Sequence, residues 1–337
     1  MQKRNKLNRS WLIFSLIVCP SLGLAQTDVY LRVYTKTFQR MEIDLFAFAG
    51  EPRGGPANDF ANLIRDVLSN DLWMSGYFKV NIKSGLPENN ARDGHNVNST
   101  DSGQTLARVT GTFRFDVNGF TIRPMLVDNA SGRTIFKSEH YGRTGTERAV
   151  IHQIADDIVY SLTGERGIAR SKIAFVEQGK NGAKEIGIMD YDGYGSTLLT
   201  SDNSINLSPA WSPDGDHICY TSYQSDNPDL YVKNLRTNSE IRLSHVKGLN
   251  SAPAWSPDGS KIALTLSKDG NAEIYLFDIE SKKLRRLTYN RAIDSSPTWS
   301  PSNREIAFTS DRLGSPQVYI MDADGVDVRR LTYQGSY

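Results

Sequence analysis

The chain has 337 residues, 39% of them hydrophobic and 23% charged, which is enough apolar matter to bury the cores of about two domains. Its 39 Lys and Arg residues nearly cancel its 38 Asp and Glu residues. No net field therefore draws it to nucleic acid or to an anionic membrane surface.

The first segment reads as an export signal. Lys3, Arg4, Lys6 and Arg9 precede the apolar run Trp11 to Val18, and Gly23-Leu24-Ala25 then places small residues where a signal peptidase cuts. Residues 1–25 are expected to be removed, leaving Gln26 first. The apolar run is far shorter than the roughly 20 residues a membrane-spanning helix needs, so no direct membrane insertion is expected after cleavage. Val18 and Pro20 beside Cys19 do not suit a lipoprotein signal. Cleavage leaves Cys219 as the one cysteine, which excludes an intramolecular disulfide. Its place in the strand-like run His217 to Ser222 marks it as a buried, inert thiol.

Residues 26–165 read as an α+β domain, one sheet with two helices. Asp28 to Tyr34, Met41 to Phe48 and Tyr77 to Ile82 are predicted strands. Between the last two, Pro56 to Leu72 sets Phe60, Leu63, Ile64, Val67 and Leu68 at helical spacing. Lys83 to Gly103 is polar and rich in Asn, Asp, Ser and Gly, the composition of a loop. Leu106 to Asp116, Phe120 to Asp128 and Thr134 to Tyr141 follow as a meander. A second helix, Thr146 to Leu162, is expected to be capped by Thr146 and to bury Val150, Ile154, Ile158 and Leu162.

Residues 166–337 repeat. Trp-Ser-Pro-Asp-Gly begins at Trp211 and Trp255, and Trp-Ser-Pro-Ser-Asn begins at Trp299, a step of 44 residues each time. Ile218, Ile262 and Ile306 keep the step, as do Tyr231, Tyr275 and Tyr319, and Leu243, Leu287 and Leu331. An earlier copy without the Trp motif runs from Lys172 to Thr200. Each unit holds four short β-rich runs, for example Lys261 to Leu266, Glu273 to Asp278, Leu284 to Thr288 and Ser296 to Trp299. A four-stranded sheet of that size cannot bury both faces alone, so the units must stack as the blades of a β-propeller. Pro-Asp-Gly suits a tight turn, and the tryptophans are expected to pack between blades, which makes the motif scaffold and its serine no nucleophile.

Chemistry is absent where an enzyme would display it. The five histidines form no HExxH or other close ligand spacing, there is no Cys cluster, and no nucleophile elbow, Walker A sequence or strand-linked G-x-G-x-x-G occurs. No catalytic residue, cofactor or metal ligand is assigned.

Signal peptide, α+β domain and Trp-Ser-Pro-Asp-Gly blades, in that order, resemble the TolB family of Gram-negative bacteria. The most specific segments are Met189-Asp190-Tyr191-Asp192-Gly193-Tyr194, Ser208 to Gly215, Ala307-Phe308-Thr309-Ser310-Asp311 and Pro316-Gln317-Val318-Tyr319. The resemblance implies a non-enzymatic periplasmic interaction protein of the Tol-Pal system, with a six-bladed propeller that binds the lipoprotein Pal and an N-terminal segment that engages TolA. The implied role is outer-membrane integrity and envelope constriction during cell division. Only about four blades are present here, because the next copy of the motif would fall beyond Tyr337, and an incomplete chain is expected rather than a closed four-bladed ring. Propellers with this repeat also precede hydrolase domains in prolyl-oligopeptidase-like peptidases, but no Ser elbow follows here. An exported propeller that binds sugar or peptidoglycan is a third reading.

Carried onto this sequence, the TolA-facing strand comprises Gln26, Thr27, Asp28, Val29, Tyr30, Leu31, Arg32, Val33 and Tyr34, an edge of the kind that pairs with a partner strand. The Pal-facing residues fall in the loops that join one blade to the next: Asn206, then Leu249, Asn250, Ser251 and Ala252, then Asp294 and Ser295. Their small or polar side chains suit close approach of a partner backbone.

Overall fold

The computed structural model describes residues 39–51, 56–85 and 105–334. The expected signal peptide, the strand at Gln26 to Tyr34 and nearly all of the polar stretch before Gly103 lie outside the described residues.

The first layer is a mixed sheet carrying two helices. Its elements are β1 (Met41–Phe46), β2 (Ala49–Glu51), α1 (Pro56–Met74), β3 (Phe78–Lys83), β4 (Ala107–Asp116), β5 (Gly119–Asp128), β6 (Thr134–Lys137), β7 (His140–Gly142) and α2 (Glu147–Thr163). The strand order is β3-β1-β4-β5-β6, with β2 paired to β4 and β7 to β5. The strand expected at Met41 to Phe48 ends at Phe46 and a separate short strand follows it, and the one expected at Thr134 to Tyr141 is divided. Against β4, the register slips by one residue between Leu45 opposite Val109 and Ala49 opposite Thr112, separating β1 from β2. In β5, Pro124 has no N–H to offer, and pairing lapses there: β6 ends opposite Met125 and β7 begins opposite Ile122.

Both helices bury one face. Phe60, Ile64, Val67, Leu68 and Leu72 of α1, with Ile151, Ile154, Ala155 and Ile158 of α2, share a core with Ile43, Leu45, Phe78, Val109, Phe113 and Ile122 of the sheet. Leu63 and Leu162, expected inside, are only partly buried against it. Thr146 occupies the N-cap position of α2 without a side-chain capping bond. Its hydroxyl turns back to the Arg143 carbonyl at 2.8 Å, and the Glu147 carboxylate accepts the Gly145 N–H instead. Gly164 closes the helix in the left-handed region at φ 75°, which a Cβ would oppose.

Four sheets follow. The first contains β8 (Lys172–Gln178), β9 (Lys184–Asp190) and β10 (Thr197–Leu198); the second β11 (Asn206–Trp211), β12 (His217–Ser225), β13 (Asn227–Asn234) and β14 (Glu240–Ser244). The third contains β15 (Asn250–Trp255), β16 (Lys261–Leu266), β17 (Glu273–Asp278) and β18 (Leu284–Arg286); the fourth β19 (Asp294–Trp299), β20 (Glu305–Ser310), β21 (Gln317–Asp322) and β22 (Arg329–Arg330). Each is an antiparallel meander in chain order. The tryptophan strand therefore opens its sheet, where the repeat had grouped it with the preceding unit, and the first sheet has three strands.

The cores lie between sheets. Ile186, Ile218 and Tyr220 join the first sheet to the second, with Trp211 against them. Cys219, Leu230, Ile262, Leu264 and Tyr275 join second to third beside Trp255. Ala263, Ile274, Ile306, Phe308 and Met321 join third to fourth beside Trp299. Among the described residues, no such cluster joins the fourth sheet to the first. The third sheet, covered on both sides, is buried almost throughout β16 and β17, whereas burial alternates along β20 and β21 of the fourth.

The repeated turn explains its own sequence. In the third sheet the Ser256 hydroxyl donates to Asp258 at 2.6 Å and accepts the Lys261 N–H at 2.9 Å, while Asp258 also accepts the Ser260 N–H. Gly259, at φ 72°, supplies the left-handed residue. The serine is thus occupied by the turn it closes. Among the described residues no helix is long and apolar enough to cross a membrane.

Candidate functional site

The loops between sheets (β10–β11, β14–β15, β18–β19) and those joining the second and third strands of a sheet (β12–β13, β16–β17, β20–β21) emerge at one end of the blades. That end is fixed by the strand registers: Asn206 lies opposite Ser222, Asn250 opposite Leu266 and Asp294 opposite Ser310. Just inside it, each opening strand carries the same bulge, between Leu207 and Ala210, Ser251 and Ala254, and Ser295 and Thr298. Ser208, Ala252 and Ser296 take positive φ of 53°, 49° and 54° there. A bulge re-aims side chains and sharpens local twist, so the backbone wall on this side is irregular in the same way in three blades.

Behind the loops runs a buried polar ladder with the 44-residue period. Glu185, Asp229, Glu273 and Gln317 stand near the start of the strand before last; Thr200, Ser244, Thr288 and Thr332 close the blade; Asn206, Asn250 and Asp294 open the next. Thr200 donates its hydroxyl to Glu185 and accepts the Ile186 N–H, and Asn206 donates to Glu185 at 3.1 Å and to Asp202 at 2.8 Å. Asn250 accepts from Ser244 at 2.7 Å and donates to the carbonyls of Pro228, Val246 and Gly248. Asp294 accepts from Asn290 at 2.7 Å and from Arg312 at 2.9 Å. Glu273 accepts from Arg286 at 2.8 Å, from the Asn290 N–H at 3.0 Å and from the Thr288 hydroxyl. Buried polar groups need such partners, and the ladder is how successive blades are tied.

This placement corrects part of the sequence reading. Asn206, Asn250 and Asp294 are 0% exposed, and their side chains point into the ladder rather than toward a partner. A large replacement at Asn250 or Asp294 therefore perturbs folding before it perturbs binding. Leu249, Ser251, Ala252 and Ser295 are half-buried and remain reachable at the rim.

The rim also holds residues that loop composition did not single out. Ile205 and Ile293 are exposed at the positions equivalent to Leu249, one aliphatic side chain per blade immediately before the buried Asn or Asp. Tyr289 and Tyr333, 44 residues apart, are exposed with Arg286 and Arg330 stacked on them at 4.7 and 4.9 Å from the ring centres. Leu313 is 66% exposed in the β20–β21 loop. Exposed aliphatic and aromatic side chains next to arginine on a polar rim are the composition of a protein-binding patch. The repeat step could have found them: Ile205, Leu249 and Ile293 share a register that their polar neighbours obscure.

The described residues have relatives in sequence and structure. The profile of the TolB beta propeller domain matches residues 159–337. The Tol-Pal system protein TolB of Desulfosudis oleivorans is 35% identical over 239 residues, which cover 69% of this chain and 54% of that protein. The Tol-Pal system protein TolB of Hahella chejuensis is 38% identical over 250 residues, 71% of this chain and 56% of that one. The chain thus spans about half the length of the curated relatives it matches. The crystal structure of TolB from Acinetobacter baumannii superposes with a TM-score of 0.74 at 28% identity, covering 89% of this chain and 73% of that one.

Proposed function

We propose, for a chain that belongs to the TolB family, that it is a non-enzymatic adaptor of the periplasm which holds the lipoprotein Pal on its propeller and engages TolA through its N-terminal segment. The consequence of that pairing is a link across the envelope that serves outer-membrane integrity and constriction at division. Supporting the reading are the Tol-Pal names of relatives at 35% and 38% identity.

One observation carries the propeller half of the proposal. The rim presents Ile205, Leu249 and Ile293 at equivalent points of three blades, over a ladder that fixes their backbones. Regularly placed apolar anchors on a rigid support lower the entropy cost of binding. The double variant Leu249→Arg, Ile293→Arg is expected to weaken Pal binding at least tenfold by calorimetry while leaving the unfolding midpoint in place. Unchanged affinity would move the Pal site off this rim. For TolA, deletion of Gln26 to Tyr34 is expected to abolish capture by TolA and spare capture by Pal; loss of both would make that segment part of the fold.

A further inference from the structure

At the end of the blades opposite the rim, the seams between sheets are not closed alike. The residue that follows the third strand of a four-stranded blade is Leu235, then Ile279, then Ala323, at the 44-residue step. Each holds the same backbone bond, to the carbonyl of Asp216 at 2.8 Å, of Ser260 at 3.0 Å and of Arg304 at 2.8 Å. Leu235 joins the cluster beside Trp211, and Ile279 the cluster beside Trp255. Ala323 is too small to do the same for Trp299, and a large side chain exchanged for alanine leaves a void where its neighbours cannot collapse. A cavity of about 210 Å³ lies there, lined by the apolar Leu276 and Trp299 and by the polar Asp258, Lys261, Arg285 and Asn303.

Three of the polar residues depart from the repeat. Where the seam between the second and third sheets has His217, Ile241 and Gly259, the next seam has Lys261, Arg285 and Asn303, so stacking alone does not require them. Bonding capacity is left over among them. Asp258 uses only Oδ1 in its turn, and Asn303 Oδ1 is buried without a partner among the described residues, a state rare for a buried acceptor. Lys261 gives Nζ to the Ser260 hydroxyl at 3.2 Å, and Arg285 gives one terminal nitrogen to the Asp324 carbonyl at 2.8 Å; both side chains hold further N–H groups.

We propose that this cavity is a binding site for one neutral pyranose ring. The C–H face of such a ring suits Leu276 and Trp299, while its hydroxyls, each a donor and an acceptor, meet the free acceptors of Asp258 and Asn303 and the donors of Lys261 and Arg285. An apolar wall with a few placed polar groups is the usual make-up of a small-molecule site. The charges around it cancel, Asp258 and Asp324 against Lys261 and Arg285, which disfavours a ligand carrying a net charge. The volume is below the roughly 300–1,000 Å³ of sites that enclose larger ligands, so a single ring is held. The site lies away from the partner-binding rim and is independent of it.

The test titrates glucose, N-acetylglucosamine and the β-1,4-linked trimer of N-acetylglucosamine into the full chain, followed by NMR of the ¹⁵N-labelled tryptophan indoles. A neutral sugar should move the Trp299 signal and leave those of Trp73 and Trp211 in place, with a dissociation constant of about 1 mM for so small a ligand. Tighter binding of the trimer would make the ring part of a glycan chain, and equal binding a free sugar. Glucuronate and glucosamine, which carry a charge, should bind more weakly than either neutral monosaccharide. Ala323→Ile restores the kind of side chain the two preceding blades use, and should abolish binding without lowering the unfolding midpoint. Asn303→Gly, which puts the residue of the Gly215 and Gly259 turns at a position of φ 63° that glycine accepts, should weaken binding about fivefold through the loss of one hydrogen bond. It decides the matter even where Ala323→Ile fails to fold. No shift of Trp299 with any neutral sugar, charged sugars binding as well as neutral ones, or affinity unchanged in Ala323→Ile or in Asn303→Gly would each overturn the proposal.

Discussion

Replacing Glu273 with Ala removes the acceptor on which the third blade closes. Its carboxylate is 0% exposed and receives the Arg286 guanidinium, the Thr288 hydroxyl and the Asn290 N–H. Arg286 is itself only 20% exposed along its side chain, so the variant leaves a largely buried guanidinium with only the more distant Asp269 carboxylate, 3.9 Å away, as its charged partner, a loss at the low end of the roughly 3–5 kcal/mol that breaking a buried pair costs. The two neutral donors add on the order of 1 kcal/mol each where water cannot reach them. We expect a destabilisation of about 4 kcal/mol, since these terms overlap and are not additive. Glu273→Gln keeps the shape and one acceptor oxygen, and the fourth sheet already uses Gln317 at the equivalent place, where it accepts from Thr332 at 2.8 Å. That variant should cost about 1–2 kcal/mol. Urea unfolding followed by both tryptophan fluorescence and circular dichroism measures the difference, two probes being needed because stacked repeats can unfold in steps. A loss below about 1 kcal/mol in Glu273→Ala, or equal losses in the two variants, would refute the view that the ladder ties the blades.

Three further outcomes are expected. Trp299 Nε1 donates to the Ala254 carbonyl at 3.1 Å, whereas Nε1 of Trp255 has no partner among the described residues, so Trp299→Phe should cost about 1 kcal/mol more than Trp255→Phe in the same unfolding assay. The Asp258 carboxyl is pulled down to about 2 by the Ser256 hydroxyl and the Ser260 N–H; its contribution is complete above the unfolded value near pH 4 and is lost as pH falls through about 2. Asp258→Asn should flatten that part of a pH–stability curve by less than about 1 kcal/mol, the group being solvent-exposed. Cys219 is fully buried, and burial raises its thiol well above the ordinary range, so a thiol reagent should label it only at the rate of blade opening and label it faster in Glu273→Ala.

Much of the architecture was legible because a period of 44 residues can be satisfied by one solution, stacked small sheets. The tryptophan motif exposed that period, and apolar residues at fixed offsets from it became the cores between blades. What escaped was local. Nothing in the alternation of Thr134 to Tyr141 marks a break, because the cause is Pro124 on the neighbouring strand. Thr146 has the chemistry of a cap yet bonds backward to Arg143, a choice set by the turn before it. Asn206, Asn250 and Asp294 were misjudged because a small polar residue in a loop can face solvent or lock the chain beneath it, and composition does not separate the two. Their neighbours do: Glu185, Asp229 and Glu273, and Thr200, Ser244 and Thr288, keep the same step with complementary donors and acceptors. A repeating acid, hydroxyl and amide is the mark of an internal network. The buried cluster of Asp71, Arg148, His152 and Asp192 could not be read at all, since only the tertiary fold brings α1, α2 and the turn after β9 together.

That each apolar cluster lies between two sheets rather than within one means that no blade owns its core. A partner seated on the rim of two adjacent blades would hold closed the very seam in which their shared side chains are buried. Binding energy and folding energy then act along the same boundary. The grip of the ligand would be felt as slower hydrogen exchange in β16 and β17, deep in the stack, and not only in the loops it touches.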